Sequence, residues 1–416
     1  MKKPYDVIIY GSTGFTGRLA VSYLQNNYPN IKFAMAGRNA DKMIAVQKEL
    51  SLSKPVDTII ASSDDHESLN KMCSQTSCIL TYTGPYALYG SSLVQSCIKE
   101  KCNYVDITGE TPWVRKMIDQ YDEPAKKAGV KIVCCSGFDS IPSDMGCLFM
   151  VNKMKQLGLI PEEVKMIMGD SLGGASGGTI ASAFNIVGSS STSELIKLSN
   201  PFAICPRDRV TGEPIGPDSV AKTKMARDTQ GPGYDPVYKI PTGPWIMQGV
   251  NTRVVNRSNA LKNYAYGRNF VYTERMGMKS HFAAVTTACI MPVLSLLIFF
   301  PITRWLLKFI LPAPGQGPTE DIRENGFFKM HFWGRGSKAT GESIIVKGGI
   351  DAFNGDPGYK QTAKMSCETA LCLVQDIDKI PQDSNSYGIV TPAVACDTIL
   401  IDRLNKKGIV FKDIEL

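Results

Sequence analysis

Three glycines near the start of the chain have the spacing of a phosphate-binding turn. Gly11-Ser12-Thr13-Gly14-Phe15-Thr16-Gly17 follows the β-branched run Val7-Ile8-Ile9-Tyr10 and precedes a helical stretch to about Asn27. In that setting the first glycine turns the chain at the end of a strand. The second lets a pyrophosphate approach the backbone, and the third lets the helix pack closely on the sheet. The helix start then offers unpaired N–H groups to the phosphates. A glycine pattern alone is weak; the strand before it and the helix after it are the context the motif requires. The chemistry implied is dinucleotide binding and hydride transfer.

The end of the second strand selects the dinucleotide. An NAD(H) site usually places a carboxylate there for the ribose hydroxyls. This chain has Gly37-Arg38-Asn39 instead. Arg38 would pair with a 2′-phosphate through charged hydrogen bonds, so the expected cofactor is NADP(H). Asp64, just after the third strand, is placed to reach the adenine amino group. Thr83-Gly84-Pro85 follow the fourth strand and should line the nicotinamide ribose, because ligands of such sheets bind beyond the carboxyl ends of the strands. Asp106 and Thr108 after strand five, and Phe138-Asp139-Ser140 after strand six, fall on the same edge.

A proton donor is harder to choose. There is no Tyr-x-x-x-Lys pair beyond strand four and no legible Ser-His-Asp set. The candidates are Tyr86, Asp106, Asp139 and Asp144. An aspartate needs a raised pKa to act as an acid, and Asp139 and Asp144 could equally cap helix starts. The loop Gly169 to Thr179 holds Gly173-Gly174 and Gly177-Gly178. It admits two readings, close approach of a substrate chain or a tight inter-strand connection. Taken with Tyr86 and Asp139 as the opposite wall, the first reading places a pocket between two domains.

Regular alternation supplies the frame for these residues. Strands are expected at Val7–Tyr10, Ile31–Ala36, Val56–Ala61, Cys78–Tyr82, Tyr104–Thr108 and Val130–Cys135. Helical stretches lie between them, at Asn39–Leu50, His66–Cys73, Ser91–Lys101 and Pro112–Ala128. Strands separated by helices make an α/β fold, a Rossmann-type doubly wound parallel sheet with right-handed crossovers. After Gly146 the rhythm breaks into stretches rich in Gly, Pro, Ser and Thr, including Pro201 to Pro244. A second, inserted α+β domain with a mostly antiparallel sheet is expected over 146–359. Helices at Gln361–Val374 and Thr391–Lys407 would return the tail to the first domain, which then comprises 1–145 and 360–416.

Composition limits the alternatives. The 416 residues carry 46 Lys and Arg against 39 Asp and Glu, a surplus of +7 spread along the chain. No basic run argues for nucleic acid. Twelve cysteines include no C-x-x-C, and there are only three histidines, His66, His281 and His331. The expectation is reduced thiols and no metal site. The apolar run after Lys2-Lys3 is too short for a signal-peptide core, so secretion is not expected.

One segment breaks the soluble pattern. Phe282 to Thr303 carries no charged residue over 22 positions. That length suffices to cross a hydrocarbon core, but Pro292 and Pro301 interrupt it. A full crossing would also part the tail from the cofactor domain. An element lying in one leaflet or a lipid monolayer is preferred, with Arg304, Trp305 and Lys308 at the interface. A true span and a buried helix or homodimer contact remain open. The place expected is the cytosolic face of a lipid droplet or the endoplasmic reticulum, with the cytoplasm second.

Taken together these residues resemble the saccharopine dehydrogenase-like oxidoreductases. The resemblance rests on GSTGFTG, on Ala36-Gly37-Arg38, on TGPY, on YVDITGE from Tyr104 to Glu110, and on CSGFDSIPSDMG from Cys135 to Gly146. Further on it includes SGGT at Ser176–Thr179, LPAPGQGP at Leu311–Pro318 and GDPGYKQTAKM at Gly355–Met365. The group includes enoyl reductases that use NADPH on lipid or polyketide intermediates. The resemblance implies an NADPH-dependent oxidoreductase that reduces a double bond or carbonyl on a lipid-like, acyl-type small molecule. A rival reading is a non-enzymatic lipid-surface protein that keeps a nucleotide-binding core. A soluble amino-acid dehydrogenase fits less well, because no amino-acid substrate signature is present.

Overall fold

The computed structural model describes residues 3–174, 182, 184, 185, 188, 191–208, 210–307, 309 and 317–415. The first unit alternates strands and helices as far as α6. It runs β1 Tyr5–Tyr10, α1 Phe15–Asn27, β2 Phe33–Gly37, α2 Ala40–Glu49, β3 Asp57–Ile60, α3 His66–Ser74, β4 Thr76–Thr81, α4 Tyr86–Lys99, β5 Asn103–Asp106, α5 Thr111–Ala128, β6 Lys131–Val133 and α6 Ile141–Gln156. The second begins with β7 Ile160–Leu172 and continues through α7 Thr192–Leu198, α8 Val220–Met225, β8 Gly233–Asp235, β9 Ile240–Gly243, α9 Gln248–Leu261 and β10 Val271–Gly277. Then come α10 His281–Phe299, α11 Pro301–Leu307, α12 Glu320–Asn325, β11 Phe327–Ser337 and β12 Ser343–Ala352. The tail contains α13 Thr362–Gln375, β13 Gly388–Val390, α14 Pro392–Lys406 and β14 Ile409–Ile414.

The first sheet is parallel throughout, with strand order β13-β6-β5-β4-β1-β2-β3. The order reverses between β1 and β4, which opens a crevice at their carboxyl ends. Both faces are covered, so its strands read as continuous apolar runs; Val7, Ile8 and Ile9 are wholly buried. The second sheet runs β14-β12-β11-β7-β10-β9-β8 and is antiparallel except where β10 lies parallel to β7.

Two boundaries differ from the sequence reading. Residue 145 lies inside α6, which continues to Gln156. The tail does not belong wholly to the first unit either. α13 packs on α1 and β4, and β13 extends the parallel sheet beside β6. The last strand, β14, instead pairs antiparallel with β12 at the edge of the second sheet. Both departures follow from α6, which packs against β7, β11 and β12 on one side and α14 on another. A helix wedged between a sheet and other helices is buried nearly all round, so no polar stripe marks where one unit stops.

Buried polar groups fasten this arrangement. Asp144 of α6 accepts from Ser258 Oγ of α9 at 2.5 Å and from Ala393 N at 2.8 Å, capping the start of α14. Burial raises its carboxyl to about 7, against the donors that favour its charged form. Glu368 of α13 accepts from Tyr23 of α1 at 2.6 Å and from Arg403 of α14 at 2.7 Å. The twelve cysteines are free thiols, all buried except Cys289.

α6 approaches the second sheet closely at Gly146, where a Cβ would overlap the Phe332 ring of β11. Overpacking at such a contact costs about 1–3 kcal/mol. Gly146→Ala should therefore lower the unfolding free energy by that amount, read as a lower urea midpoint at unchanged slope. An unchanged midpoint would mean that Phe332 moves aside freely.

Candidate active site

β1 delivers the chain to Gly11, whose φ of +79° lies in the left-handed region that favours glycine. Gly11 N donates to Ala36 O at 3.0 Å, and Gly14 N donates back to Gly11 O at 3.0 Å. A Cβ on Gly17 would overlap that same Gly11 carbonyl, so α1 can start this close only with glycine there. Ser12 is buried and donates its hydroxyl to Ala36 O at 3.2 Å. Thr13, Phe15 and Thr16 are half-buried around the turn. Gly14 caps α1 without a side-chain bond, and the first turn holds no acidic residue. The helix start thus keeps its N–H groups and positive dipole end for an anion.

Across the crevice, Thr83 Oγ1 is buried with no hydrogen-bond partner among the described residues. It faces Gly11 so closely that a Cβ there would meet it at 2.5 Å. An orphaned hydroxyl beside an uncapped helix start fits a dinucleotide crossing the β1–β4 switch point. At the far end, Arg38 is exposed and makes no hydrogen bond or ion pair among the described residues. Its positive charge is felt at the Tyr10 hydroxyl, which burial raises and Arg38 pulls back down. Asn39 is occupied in capping α2 through Lys42 N. Asp64 is exposed beyond β3, while its neighbour Asp65 caps α3.

The nicotinamide edge is held by a residue not singled out as a site residue in the sequence. Glu110 is 1% exposed. Its carboxylate accepts from Tyr86 N at 2.8 Å and Ala87 N at 2.9 Å, the free N–H groups at the start of α4. It also accepts from Ser182 Oγ at 2.9 Å, and a Cβ on Gly84 would lie 3.7 Å from that same oxygen. Glu110 therefore fixes Gly84, Pro85 and Tyr86 and brings a residue of the second unit onto them. No local pattern signals this, because the capping carboxylate lies 24 residues from the helix it caps.

Two expected proton donors are engaged by their surroundings. Tyr86 is buried; its hydroxyl donates to Thr81 O at 3.1 Å and accepts from Ile107 N at 3.4 Å. Asp106 is wholly buried and accepts from Tyr104 Oη, Thr108 N and Cys135 N at 2.9–3.0 Å. Its carboxyl is pushed up to about 7 by burial, but it faces backbone and a phenol. Both residues brace the sheet edge. Asp139 differs. It is half-buried and has no hydrogen-bond or ion-pair partner among the described residues. Burial raises its carboxyl to about 6. Its Oδ2 lies 3.3 Å from where a Cβ on Gly109 would stand, one residue from Glu110.

The expected glycine wall is partly described. Residues 175–179, which include Ser176–Thr179, lie outside the described residues, as do 311–316 of the Leu311–Pro318 motif. Gly173 packs on Pro357 and Gly174 on Pro318. A Cβ on Gly317 would meet the Phe15 ring at 2.5 Å, which places this part of the second unit over the glycine turn. The second unit's described residue at Gly84 is Ser182. A cavity of about 1200 Å³ starts at Ala87, Pro112 and Trp113 and runs along α5 toward Lys197 and Arg227. It adjoins the nicotinamide edge without including Asp139.

The chain is similar to known proteins. Residues 7–133 match the saccharopine dehydrogenase NADP-binding domain family. A Mycobacterium tuberculosis protein named as a candidate trans-acting enoyl reductase is 32% identical over 418 residues, covering 98% of this chain and 97% of its own. The trans-acting enoyl reductase of Mycobacterium ulcerans is 31% identical with the same coverage of both chains. Apo saccharopine dehydrogenase (L-Glu forming) from Saccharomyces cerevisiae superposes with a TM-score of 0.55 at 13% identity, over 99% of this chain and 100% of that one.

Arg38, unpaired among the described residues, gives a direct test of cofactor choice. The chain should bind NADPH more tightly than NADH, and Arg38→Asp should reverse that order. A charge-assisted contact is worth about 1.5–3 kcal/mol, or about ten- to a hundredfold in affinity. Fluorescence titration of both cofactors decides it; equal affinities in the unmodified chain would refute the role of Arg38.

Proposed function

The chain belongs to the saccharopine dehydrogenase-like oxidoreductases, and from that premise we propose that it is an NADPH-dependent enoyl reductase acting on a hydrophobic acyl substrate at a lipid surface. The observation that carries the chemical part is Asp139. Among the described residues it is a carboxyl of raised pKa with no hydrogen-bond or ion-pair partner, while its neighbours Glu110 and Asp106 are engaged. Reducing a conjugated double bond adds a hydride to one carbon and a proton to its neighbour. NADPH bound at the glycine turn would supply the hydride.

The protein's own groups would do the rest. Gly11 to Gly17 and the α1 start would hold the pyrophosphate, Arg38 the 2′-phosphate, and Thr83 Oγ1 would gain a partner on the ribose side. Asp64 stands near the adenine end. Glu110 keeps Gly84 and Pro85 in place, so the acceptor face does not shift. Asp139 would hold the transferred proton on its carboxyl. A raised pKa lets more of that group stay protonated near neutrality than an ordinary aspartate.

The lipid part rests on α10 and α11. α10 has a mean hydropathy of 2.2 over its most apolar window and is long enough to cross a membrane. Phe282, Ile302 and Trp305 are 81%, 76% and 59% exposed, an apolar surface that water disfavours. Yet both ends of the pair touch the body of the protein. Thr287 lies near Gly243 of β9, and Arg304 bonds Phe184 O at 3.1 Å. A helix about 28 Å long that crossed a bilayer would carry its far end away from that body. The contacts support an element lying in one leaflet. Placement on the cytosolic face of a lipid droplet or reticulum membrane follows from the same reading.

Two experiments test the proposal. NADPH oxidation is followed with 2-enoyl thioesters of increasing chain length, and the rate should rise with chain length. An acid with a pKa near 6 is protonated below that value, so kcat/KM should fall about tenfold per unit as pH rises past 6. Asp139→Asn should lose about 10²–10⁴ in rate and flatten that limb. No oxidation with any enoyl or carbonyl substrate would sink the enzymatic reading. Separately, deleting residues 282–303 should release the chain from membranes that withstand an alkaline carbonate wash. An intact chain found wholly in the soluble fraction would end the lipid reading.

A further inference from the structure

The cavity of about 1200 Å³ beside the nicotinamide edge has an apolar mouth and a fixed frame. Ala87, whose N–H Glu110 holds, lies at the mouth with Pro112 and Trp113. The Trp113 ring rests on Tyr86 with centroids 5.6 Å apart. One wall follows α5 from Pro112 to Gln120, about 12 Å at 1.5 Å per residue. The far walls are held from behind by Arg253 of α9, which is 1% exposed. Its guanidinium donates to Leu198 O at 3.2 Å and Ser199 O at 2.6 Å on one wall, and it pairs with Asp228 on the other.

The residues just before Leu198 and Asp228 are Lys197 and Arg227, so the Arg253 tie sets these two cations at one end of the cavity. Both line it, as does Lys116 of α5, and all three are exposed. Every Asp and Glu of the chain is among the described residues, and none forms an ion pair with these three. The acids of the lining are engaged elsewhere. Asp228 is taken by Arg253, Asp119 by Arg115, and Glu194 accepts from Ser191 N at 2.8 Å at the start of α7. Against the three unpaired cations stands Glu213, a lining acid with no hydrogen bond or ion pair of its side chain among the described residues.

We propose that this cavity is the subsite for a phosphate-bearing arm of the acyl substrate: the apolar mouth passes the linker from the reacting double bond, and Lys116, Lys197 and Arg227 hold the phosphate. The proposal deepens the enoyl-reductase reading and rests on it. A phosphate takes charge-assisted hydrogen bonds from lysine and arginine at once. Walls already tied by Arg253 lose little affinity to ordering when the arm binds. Coenzyme A thioesters and lysophosphatidic acids both carry such a phosphate, the first from solution and the second from a lipid surface.

Calorimetry on the full chain saturated with NADP+ reads the subsite without turnover. The probes are decanoyl-coenzyme A, 1-decanoyl lysophosphatidic acid below its micelle concentration, and the N-acetylcysteamine thioester of decanoic acid, which has no phosphate. At least one phosphate-bearing probe should bind about tenfold more tightly than the neutral thioester, and the tighter of the two names the source. Lys116→Gln, Lys197→Gln and Arg227→Gln together should bring that ratio near one, and each alone should lower it about two- to threefold. Unchanged NADPH affinity shows that the variants are folded. Lys222→Gln with Lys224→Gln removes cations of α8 outside the cavity lining and should keep the ratio. The subsite is overturned if neither phosphate-bearing probe is preferred, if the combined variant keeps the ratio, or if the α8 pair abolishes it as fully. The 2-enoyl forms of the same probes separate the two readings. Phosphate preference without NADPH oxidation sustains the subsite and removes the reductase; oxidation without phosphate preference does the reverse.

Discussion

A carboxylate buried without a cation must be surrounded by donors, and Glu110 meets that demand with the free end of a helix. Two N–H groups at the start of α4 and the Ser182 hydroxyl satisfy it. An unpaired buried charge would cost several kcal/mol, so these donors cannot drift independently. The turn at Gly84 and Pro85, the entry to α5 and a residue of the second unit are locked to one point. Everything proposed for the nicotinamide edge depends on that point staying still. The negative end of the interaction also complements the α4 dipole, which removes part of the cost of burial.

The same economy appears in the way the two sheets are joined. α6 is shared, with α14 on one side and β7, β11 and β12 on the other, so the second sheet has no free face there. Asp144 links α6 to α9 and α14, and Glu368 links α13 to α1 and α14. These are charged groups used as internal fasteners, each satisfied by several donors. The tail then serves both units, contributing β13 to one sheet and β14 to the other.

Burial raises several carboxyls, and the raised value alone does not identify an acid catalyst. Asp106, Asp144 and Glu274 are all pushed to about 7 by desolvation. Each is engaged by hydrogen bonds within the protein. For such a group the folded pKa exceeds the unfolded one. Its contribution to stability is full below the unfolded value and is lost as pH rises through the folded value. Asp139 shares the desolvation but has no donor among the described residues. What separates a candidate for chemistry from a structural acid here is the free hydrogen-bonding capacity, which only three-dimensional surroundings define.

Residue types and spacing alone determined the parallel first sheet, the glycine turn and Arg38 at the end of β2. Each of these is a local pattern: a buried strand is a short apolar run, and a phosphate turn needs glycine where the backbone must bend or touch. The uncharged stretch from Phe282 to Thr303 was legible for the same reason. β13 was not; its three residues stand in the tail, outside the regular strand–helix alternation that marked the equally short β6, and they pair with the edge of β6. The partners of β14 and the all-round burial of α6 were likewise beyond a one-dimensional pattern. The roles of the acids were decided entirely by the tertiary structure. Tyr86, Asp106 and Asp139 look alike as candidates in sequence. Among the described residues, long-range contacts occupy the first two, leave the third without a donor, and raise Glu110 from the end of a family motif to the anchor of the site, because hydrogen-bond satisfaction depends on neighbours that the chain brings together only by folding.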